Sequence, residues 1–434
     1  MNEMLNEIVI SPDNQNFKFT DEYKINSIPK LECLEDKPKM IVSKSDNQNF
    51  DTVIFASRNI EEAAIPSYIK YIHDNAFELC MNLSVFLIPE DSQLKSIGKH
   101  AFALTSISSL YFPSDLEELG KGWCESMSDL LFIEISPDNN NFKFADFEEK
   151  LIIGKSDKNK EEFDLLVIAC RDISEIIIPP SIKCIQSHSI SYCNCIDKFT
   201  IPEDSKLVQI DKYAFSHSDI DSIFIPKTVE VLEEGWCDSL PYLCDVVLSE
   251  DNKNYIFDEQ RIILGKSYKK SNVFDVVVFA CRNIKKVTIQ PWIRYIQKYA
   301  FQHCNCLQTV NISEDSELER IQDFAFFGSS IKSIIIPKKE KHIECAAFDD
   351  CNELRCFEFL GDVLESRCDL FDSCQNLFLV SFPNVRKIAY LFFLLILHFL
   401  LMLDAKFKLI ECLFHDYINF LYKIQNKSIF FEFL

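Results

Sequence analysis

The chain has 434 residues, of which 47% are hydrophobic, and its 67 acidic and 45 basic residues give a net charge of −22. This hydrophobic content excludes a disordered acidic tail, and the charge excludes a nucleic-acid-binding protein that works through a basic face. Glycine is scarce, at 8 residues, while phenylalanine reaches 38 and cysteine 18. A flexible linker and a small disulfide scaffold are therefore excluded as well, and the chain is long enough to bury a large core.

The N-terminal segment resembles the interior of a repeat. The first fifteen residues contain acidic side chains and no continuous apolar run, so they do not predict a secretory signal peptide. Residues 5–19 (LNEIVISPDNQNFKF) match residues 130–144 (LLFIEISPDNNNFKF). We therefore expect residues 1–50 to form a partial leading unit that begins in the middle of a repeat.

A long repeat follows. The segments DTVIFASRNI, DLLVIACRDI and DVVVFACRNI begin at Asp51, Asp164 and Asp275, which are 113 and 111 residues apart. The spacing predicts three super-repeats at approximately 51–163, 164–274 and 275–388, followed by a separate apolar tail at 389–434.

A shorter unit recurs inside each super-repeat. An Ile-Pro or Phe-Pro pair begins at Ile65, Ile88 and Phe112, in steps of 23 and 24 residues, and an Ala-Phe-x-x-Cys or related element, such as Ala76-Phe77, follows each pair. Periods of about 20–29 residues with Leu or Ile at fixed places are typical of leucine-rich repeats. Residues 83–89 (LSVFLIP) then predict a strand that ends at a proline, and stacked coils predict a parallel sheet with strands ~4.8 Å apart.

One segment of each super-repeat is longer than a single coil. Residues 123–190 contain NNNFKF, LIIGKS and FDLLVIACRDI, which predict strand, turn, strand and strand, that is, a coil carrying a hairpin. The predicted fold is a mostly β repeat solenoid with short helical or irregular turns, plus an apolar C-terminal helical tail.

The unit I-P-x-x-I-x-x-I-x-x-x-A-F-x-x-C-x-x-L resembles the BspA-like leucine-rich repeat proteins, which are surface antigens of anaerobic bacteria and parasitic protists. Residues 65–83 carry this match, and with their copies it covers roughly residues 1–388. The resemblance implies a curved solenoid displayed at a cell surface, where it contacts host or neighbouring-cell proteins. Because the motif is a folding motif, it implies no catalytic, cofactor-binding, metal-binding or ligand-binding residue.

Two recurring motifs could carry chemistry. Gly154-Lys155-Ser156 and its copy at Gly265 end like a phosphate-binding loop, but the glycine that such a loop needs five residues earlier is replaced by Glu149 and Gln260. A turn in the hairpin is the better interpretation. Cys193-Asn-Cys195 and Cys304-Asn-Cys306 recur at one place of the super-repeat. The copies are too far apart to form a joint disulfide or metal site, so we expect small buried hydrophobes.

Other candidate sites are weaker. We expect the histidines, among them His73, His100, His188 and His217, at surface or satisfied positions, because they do not recur in register. The Glu-Asp pairs are interpreted as acidic turns rather than calcium sites, and three Asn-x-Ser sequons matter only in a secreted chain. The pairs begin at Glu90, Glu203 and Glu314, and the sequons at Asn82, Asn311 and Asn426.

Residues 388–403 (IAYLFFLLILHFLLML) form an apolar run interrupted only by His398. As a helix the run reaches ~24 Å, short of the ~30 Å hydrocarbon core of a bilayer. Three alternatives stay open, namely a membrane-inserted helix, a helix packed over the last coil, and a tail that is not native to the protein.

The acidity belongs to the repeat body, because the residues after 384 carry 6 basic and 4 acidic side chains and leave −24 for the rest. This favours protein partners with basic patches and disfavours nucleic acid and anionic lipid. The predicted function is non-catalytic protein binding without a cofactor or metal, and by resemblance cell-surface adhesion, with membrane association possible through residues 388–403. A cytoplasmic scaffold of the same fold is the alternative, since no signal peptide is visible and cysteine is abundant. An enzyme domain is a further alternative that no motif supports.

Overall fold

The computed structural model describes residues 14–19, 40–45, 49–339, 342–361, 363–364, 370–381 and 387–388. Within these residues the chain forms 33 strands and no helix. The turns, predicted as helical or irregular, are therefore irregular in this part of the chain. The predicted helical tail at 389–434 lies outside the described residues.

The strands before residue 140 are β1 (Phe17–Phe19), β2 (Met40–Lys44), β3 (Phe50–Ala56), β4 (Glu62–Ala64), β5 (Tyr71–Ile72), β6 (Val85–Leu87), β7 (Ser96–Ile97), β8 (Ser109–Phe112), β9 (Glu118–Leu119) and β10 (Phe132–Ile135). Those between residues 140 and 250 are β11 (Phe142–Phe144), β12 (Leu151–Gly154), β13 (Leu165–Ala169), β14 (Glu175–Ile177), β15 (Cys184–Ile185), β16 (Lys198–Thr200), β17 (Gln209–Ile210), β18 (Ser222–Ile225), β19 (Val231–Leu232) and β20 (Asp245–Leu248). Those after residue 250 are β21 (Ile256–Phe257), β22 (Ile262–Gly265), β23 (Val276–Ala280), β24 (Lys286–Ile289), β25 (Tyr295–Ile296), β26 (Thr309–Ile312), β27 (Arg320–Ile321), β28 (Ser333–Ile336), β29 (His342–Ile343), β30 (Cys356–Phe359), β31 (Val363–Leu364), β32 (Leu379–Ser381) and β33 (Lys387–Ile388).

Each coil contributes to two parallel sheets. The longer strands stack on one side, most extensively in the five-stranded sheet β24-β26-β28-β30-β32, and two-residue strands such as β15, β17 and β19 stack on another side. The predicted parallel stacking is thereby confirmed. The strand predicted at 83–89 is shorter, at Val85–Leu87, because the Leu83 amide closes a turn by donating to the Cys80 carbonyl.

The hairpin predicted inside each super-repeat is confirmed. β11, β12 and β13 pair antiparallel, with Phe142 opposite Gly154 and Ile152 opposite Ile168. β13 then pairs in parallel with β15, so the hairpin extends the short-strand sheet at its edge. The same order recurs in β21-β22-β23-β25.

The core consists of the apolar repeat positions. The Ala-Phe phenylalanines stack on one another from coil to coil, with 4.8 Å between the ring centroids of Phe301 and Phe326 and 5.2 Å between those of Phe326 and Phe348. All three rings are fully buried. Stacked aromatic pairs contribute about 0.5–1.5 kcal/mol each beyond their buried area, so this column links successive coils energetically.

The turn before and after each Ala-Phe element adopts an unusual backbone conformation. Two residues four positions apart have positive φ, for example Asn75 (59°) and Leu79 (63°) around Ala76-Phe77, and likewise His188 (62°) and Tyr192 (59°) around the equivalent pair Ser189-Ile190. Residues other than glycine, asparagine and aspartate rarely adopt this backbone conformation. It is held by hydrogen bonds between coils, such as the 2.8 Å bond that the Ile190 amide donates to the Ala214 carbonyl.

Candidate binding surface

The longer strands present alternate side chains to solvent. In β14, for example, Glu175 and Ile177 point outward while Ile176 is buried, as strand geometry requires. Neighbouring strands are in register, with Lys286 opposite Thr309 and Thr309 opposite Ser333. We call the outward-facing residues of β4, β6, β8, β10, β14, β16, β18, β20, β24, β26, β28, β30 and β32, together with the residue before each strand, the strand face.

Charge on the strand face changes along the solenoid. The second super-repeat exposes mainly acidic residues, with the exposed Lys198 among them, and the third exposes mainly basic residues. The acidic residues are Glu175, Asp197, Asp221 and Asp245, and the basic residues are Lys285, Lys286, Lys332 and Arg355. Exposed apolar side chains lie among them, including Val247 at 61% and Ile335 at 51%. The fold fixes the buried residues of each strand and leaves these outward positions free to vary.

A buried arginine replaces a missing turn in the coil that carries the hairpin. This coil has no Ala-Phe element, and Arg171 contacts the turns of the coils on either side. Its guanidinium donates to the carbonyls of Met127 at 3.0 Å, Ala169 at 3.1 Å and Ser189 at 3.3 Å. Arg282 makes the equivalent bonds, to Leu240 at 3.1 Å among others. These bonds satisfy carbonyls that would otherwise be buried without a donor.

Four histidines lie in the turns with positive φ: His100, His188, His217 and His303. They do not recur in the super-repeat register, as the sequence indicated, and His73 and His217 are exposed while His100 is half-buried, in line with the expected surface or satisfied positions. The expectation of a surface or satisfied position is wrong for His188, which is buried and whose Nδ1 has no hydrogen-bond partner among the described residues. Glu125 lies between two of the four histidines, 2.6 Å from His100 Nδ1 and 3.9 Å from His188 Nε2. Burial, followed by the positive charge of Arg171, lowers the pKa of His188 to about 3.

The comparison with known families is decisive. The model of the BspA type leucine rich repeat region matches residues 37–153, 168–261 and 273–394, in 6 copies. The chain belongs to this family. No curated protein matches the chain.

Solved structures that match the chain include leucine-rich repeat proteins of bacteria. A leucine rich cell surface protein from Faecalibacterium prausnitzii is 16% identical, with 82% of this chain and 96% of that chain covered and a TM-score of 0.45. A leucine-rich repeat protein from Eubacterium ventriosum is 17% identical, with 79% and 76% covered and a TM-score of 0.39. The pneumococcal vaccine antigen PcpA is 16% identical, with 76% and 69% covered and a TM-score of 0.35.

In this BspA-type chain the Gly-Lys-Ser segments belong to the hairpin, as predicted. Gly154 ends β12 and is paired with strands on both sides. A Cβ at this position would lie 2.9 Å from Val167 Cγ2, so a larger residue would require Val167 to shift. The Ser156 hydroxyl donates to Asp164 at 2.8 Å. The backbone amides are used by the sheet and do not form a cradle for phosphate.

In this BspA-type chain, only one cysteine of each Cys-Asn-Cys segment is buried. Cys193 and Cys304, the first of each Cys-Asn-Cys segment, are fully buried, and burial raises their pKa to about 11. Cys195 and Cys306 are free and exposed, so the prediction of buried hydrophobes is wrong for them. Recurrence could not separate the buried cysteine of each segment from the exposed one, because both recur at the same super-repeat spacing. Cys345 is disulfide-bonded.

A small cleft lies at the junction of the first and second super-repeats. It has a volume of about 180 Å³ and includes Lys121, Cys184 and Asp211 in its lining. The Asp211 carboxylate accepts a 2.6 Å hydrogen bond from Gln209 and lies 3.7 Å from Lys121 Nζ. Burial and this carboxylate raise the pKa of the Cys184 thiol to about 12. The polar groups of the cleft satisfy one another, and the thiol is not activated as a nucleophile.

The remaining candidates lie in solvent. The Glu-Asp pairs at Glu90, Glu203 and Glu314 are exposed in turns, and the described residues contain no group of three or more His, Cys, Asp or Glu side chains placed to hold a metal ion. Asn82 and Asn311 are exposed, while Asn426 lies outside the described residues. The described part of the chain contains no helix with the length and apolar character needed to cross a membrane.

Proposed function

We propose that this chain is a non-catalytic, protein-binding repeat protein of the cell surface, and that the strand face contacts proteins of host or neighbouring cells. The observation that carries the proposal is the strand face itself, whose exposed residues vary in charge and polarity over a constant buried pattern. Solenoids use such extended surfaces for binding. The matched family model is a repeat region, which provides a folding motif and no reaction chemistry.

The acidic residues of the second super-repeat support partners with basic patches. Asp197 and Asp221 are exposed on neighbouring coils, and such acids attract a basic surface over long range at low salt. We further propose that residues 51–163, 164–274 and 275–388 are the three repeats of one body, led by the partial unit 1–50, and that residues 389–434 are a separate segment. Membrane association through residues 388–403 remains part of this proposal.

An intracellular scaffold is the second candidate function. Cys195 and Cys306 are exposed free thiols, and such thiols persist more readily in a reducing compartment. The two candidates share the strand face and differ in location.

An antibody raised against residues 164–275 distinguishes these locations. We expect it to stain intact cells as strongly as permeabilised cells, because the repeat body is displayed outside. Staining only after permeabilisation would contradict surface display and favour the scaffold. Staining of a cytoplasmic marker protein in parallel controls for leaky cells.

A further inference from the structure

The four basic residues of the third super-repeat lie close together on the strand face. The Gln308 amide donates to the Lys285 carbonyl at 3.0 Å, the Lys332 amide to the Gln308 carbonyl at 3.2 Å, and the Arg355 amide to the Lys332 carbonyl at 2.8 Å. These residues therefore follow one another on successive coils. At ~4.8 Å per strand, the row from Lys285 to Arg355 spans about 14 Å, with Lys286 beside its first member. We call Lys285, Lys286, Lys332 and Arg355 the basic row.

The charges of the basic row are available for a ligand. All four side chains are exposed, and among the described residues none of them forms an ion pair. Lys332 Nζ donates only to the Gln308 side chain, at 3.1 Å. On the second super-repeat, by contrast, Lys198 pairs with Glu175 at 2.5 Å.

The fold does not require positive charge at these positions. Three residues after the recurring arginine of each super-repeat, the chain reads Glu61-Glu62 in the first copy, Ser174-Glu175 in the second and Lys285-Lys286 in the third. Asp221 and Lys332 are likewise equivalent. The same backbone thus carries opposite charge in different copies. Four cations that pair with no acidic side chain among the described residues, in a chain of net charge −22, point to a role in binding and not in stability.

Exposed apolar side chains lie next to the basic row. The Phe378 amide donates to the Arg355 carbonyl at 3.0 Å, and Leu379 lies opposite Cys356 on the adjacent strand. Phe378 is 50% exposed and Ile335 51%. A ligand that covers this surface therefore has both negative charge and apolar groups. A long polyanion such as a sulfated glycan or a nucleic acid offers few apolar groups, and the net charge of the chain repels it beyond the row.

We infer that the basic row and the adjacent apolar residues bind a short acidic and apolar segment of a partner protein. This inference rests on the proposed protein-binding function and adds a second subsite, whose charge preference is opposite to that of the acidic second super-repeat. Carboxylates of the segment pair with Lys332 and Arg355, and its apolar side chains cover Ile335, Phe378 and Leu379. Arg355 is suited to a bidentate carboxylate contact.

Fluorescence anisotropy with the full chain tests this inference. The probes are fluorescein-labelled peptides of about 12 residues, one of Glu and Leu, one of Glu and Ser, and one of Lys and Leu, together with labelled heparin. We expect the Glu/Leu peptide to bind most tightly and to weaken as salt rises. The double variant Lys332→Glu/Arg355→Glu should weaken that binding at least about tenfold.

The matched control is Lys206→Glu/Lys227→Glu, which makes the same change in net charge at two exposed turn residues outside the strand face. It should leave binding within about twofold, since these lysines lie away from the row. An equal loss in both variants would overturn the inference, because it would show a non-specific charge effect. Circular dichroism melting of each variant excludes loss of the fold.

Other occupants are distinguished by the same set of measurements. Heparin or the Glu/Ser peptide binding as tightly as the Glu/Leu peptide would overturn the assignment to an acidic and apolar segment. A dimer in sedimentation velocity that Lys332→Glu/Arg355→Glu dissociates would instead assign the row to the acidic residues of a second copy. If the peptide does not bind but the antibody stains intact cells, this inference is refuted and surface display is not. If the antibody stains only permeabilised cells, surface display is refuted and this inference is not.

Discussion

The bridging arginines are the residues on which the join between super-repeats depends. Arg171 and Arg282 are almost completely buried, at 3% and 2% exposure, and their charges are compensated by backbone carbonyls. A buried charge is costly unless hydrogen bonds satisfy it. The planar guanidinium has enough N–H groups to donate to carbonyls of both neighbouring turns. One side chain therefore supplies the hydrogen bonds that an additional turn would otherwise make.

Replacing Arg171 with leucine should destabilise the chain by about 3 kcal/mol, because several buried carbonyls lose their donor. The measurement is the thermal unfolding midpoint together with hydrogen exchange of residues 186–191. The control is Arg320→Leu, since Arg320 is exposed and its guanidinium pairs with the Glu344 carboxylate at 3.2 Å and not with buried carbonyls. Equal effects of the two substitutions would contradict the bridging role.

The sequence predicted the recurrence of these arginines and not their function. The Ala-Cys-Arg-Asp segment was visible as a repeat, but its role depends on the absence of a turn in one coil and on two neighbouring coils that are 44 residues away in one direction and 18 in the other. The positive φ of Tyr192 and His217 was hidden for the same reason. It is imposed by hydrogen bonds between coils and not by glycine.

Buried His188 makes stability depend on pH. Its pKa is lowered from 6.5 to about 3 in the folded chain. The His188 side chain is therefore protonated near pH 6.5 in the unfolded chain, but only near pH 3 in the folded chain. Stability should fall as the pH drops from about 6.5 towards 3, by up to about 1.4 kcal/mol per pH unit from this residue.

The variant His188→Tyr should remove this part of the pH dependence. Tyrosine occupies the equivalent position at Tyr213 and Tyr299, so the turn accepts it. Unfolding midpoints between pH 4 and pH 7 are compared with those of His217→Tyr, in which an exposed histidine is replaced. An unchanged slope in His188→Tyr would show that other groups carry the dependence.

At the scale of the elements, the hairpins are closed by an aspartate and a serine. Asp164 accepts the Ser156 amide and hydroxyl, both at 2.8 Å, and Asp275 and Ser267 form the same pair. Burial alone would raise the pKa of Asp164, but the bonds from Ser156 and the charge of Lys183 outweigh it and lower the pKa. The carboxylate form of Asp164 therefore supports the hairpin at neutral pH.

Replacing Asp164 with alanine should open the hairpin locally without unfolding the solenoid, because β12 loses this closure while the coils keep their core. We expect faster hydrogen exchange at residues 151–156 and little change at residues 209–232. Asp157→Ala is the control, since Asp157 bonds only within its own exposed loop. Unchanged exchange in Asp164→Ala would contradict the proposed closure.

Most elements could be predicted from the sequence, for a clear physical reason. Apolar residues such as Ile176 and Phe301 recur because each coil buries the same positions. The exposure of Cys195 and the location of the basic row could not be predicted, because recurrence reveals what the core requires and says little about which outward positions meet in space.

At the scale of the whole molecule, the net charge conceals two opposed regions. Summed along the chain, −22 predicts only basic partners. When the charges are considered by face and by super-repeat, Asp197 and Asp221 favour a basic surface on the partner. Lys332 and Arg355 favour an acidic surface on the partner. One rigid surface with two such regions selects the orientation of a partner as well as its charge.

The most direct test of the strand face as the binding surface is the binding of the fluorescently labelled full chain to intact cells, measured by flow cytometry. Asp197→Lys/Asp221→Lys alters the strand face, and Asp157→Lys/Glu161→Lys makes the same charge change in the hairpin loop. We expect the strand-face variant to lose most of the binding and the hairpin variant to keep it. Retention by the strand-face variant with loss in the hairpin variant would contradict the account.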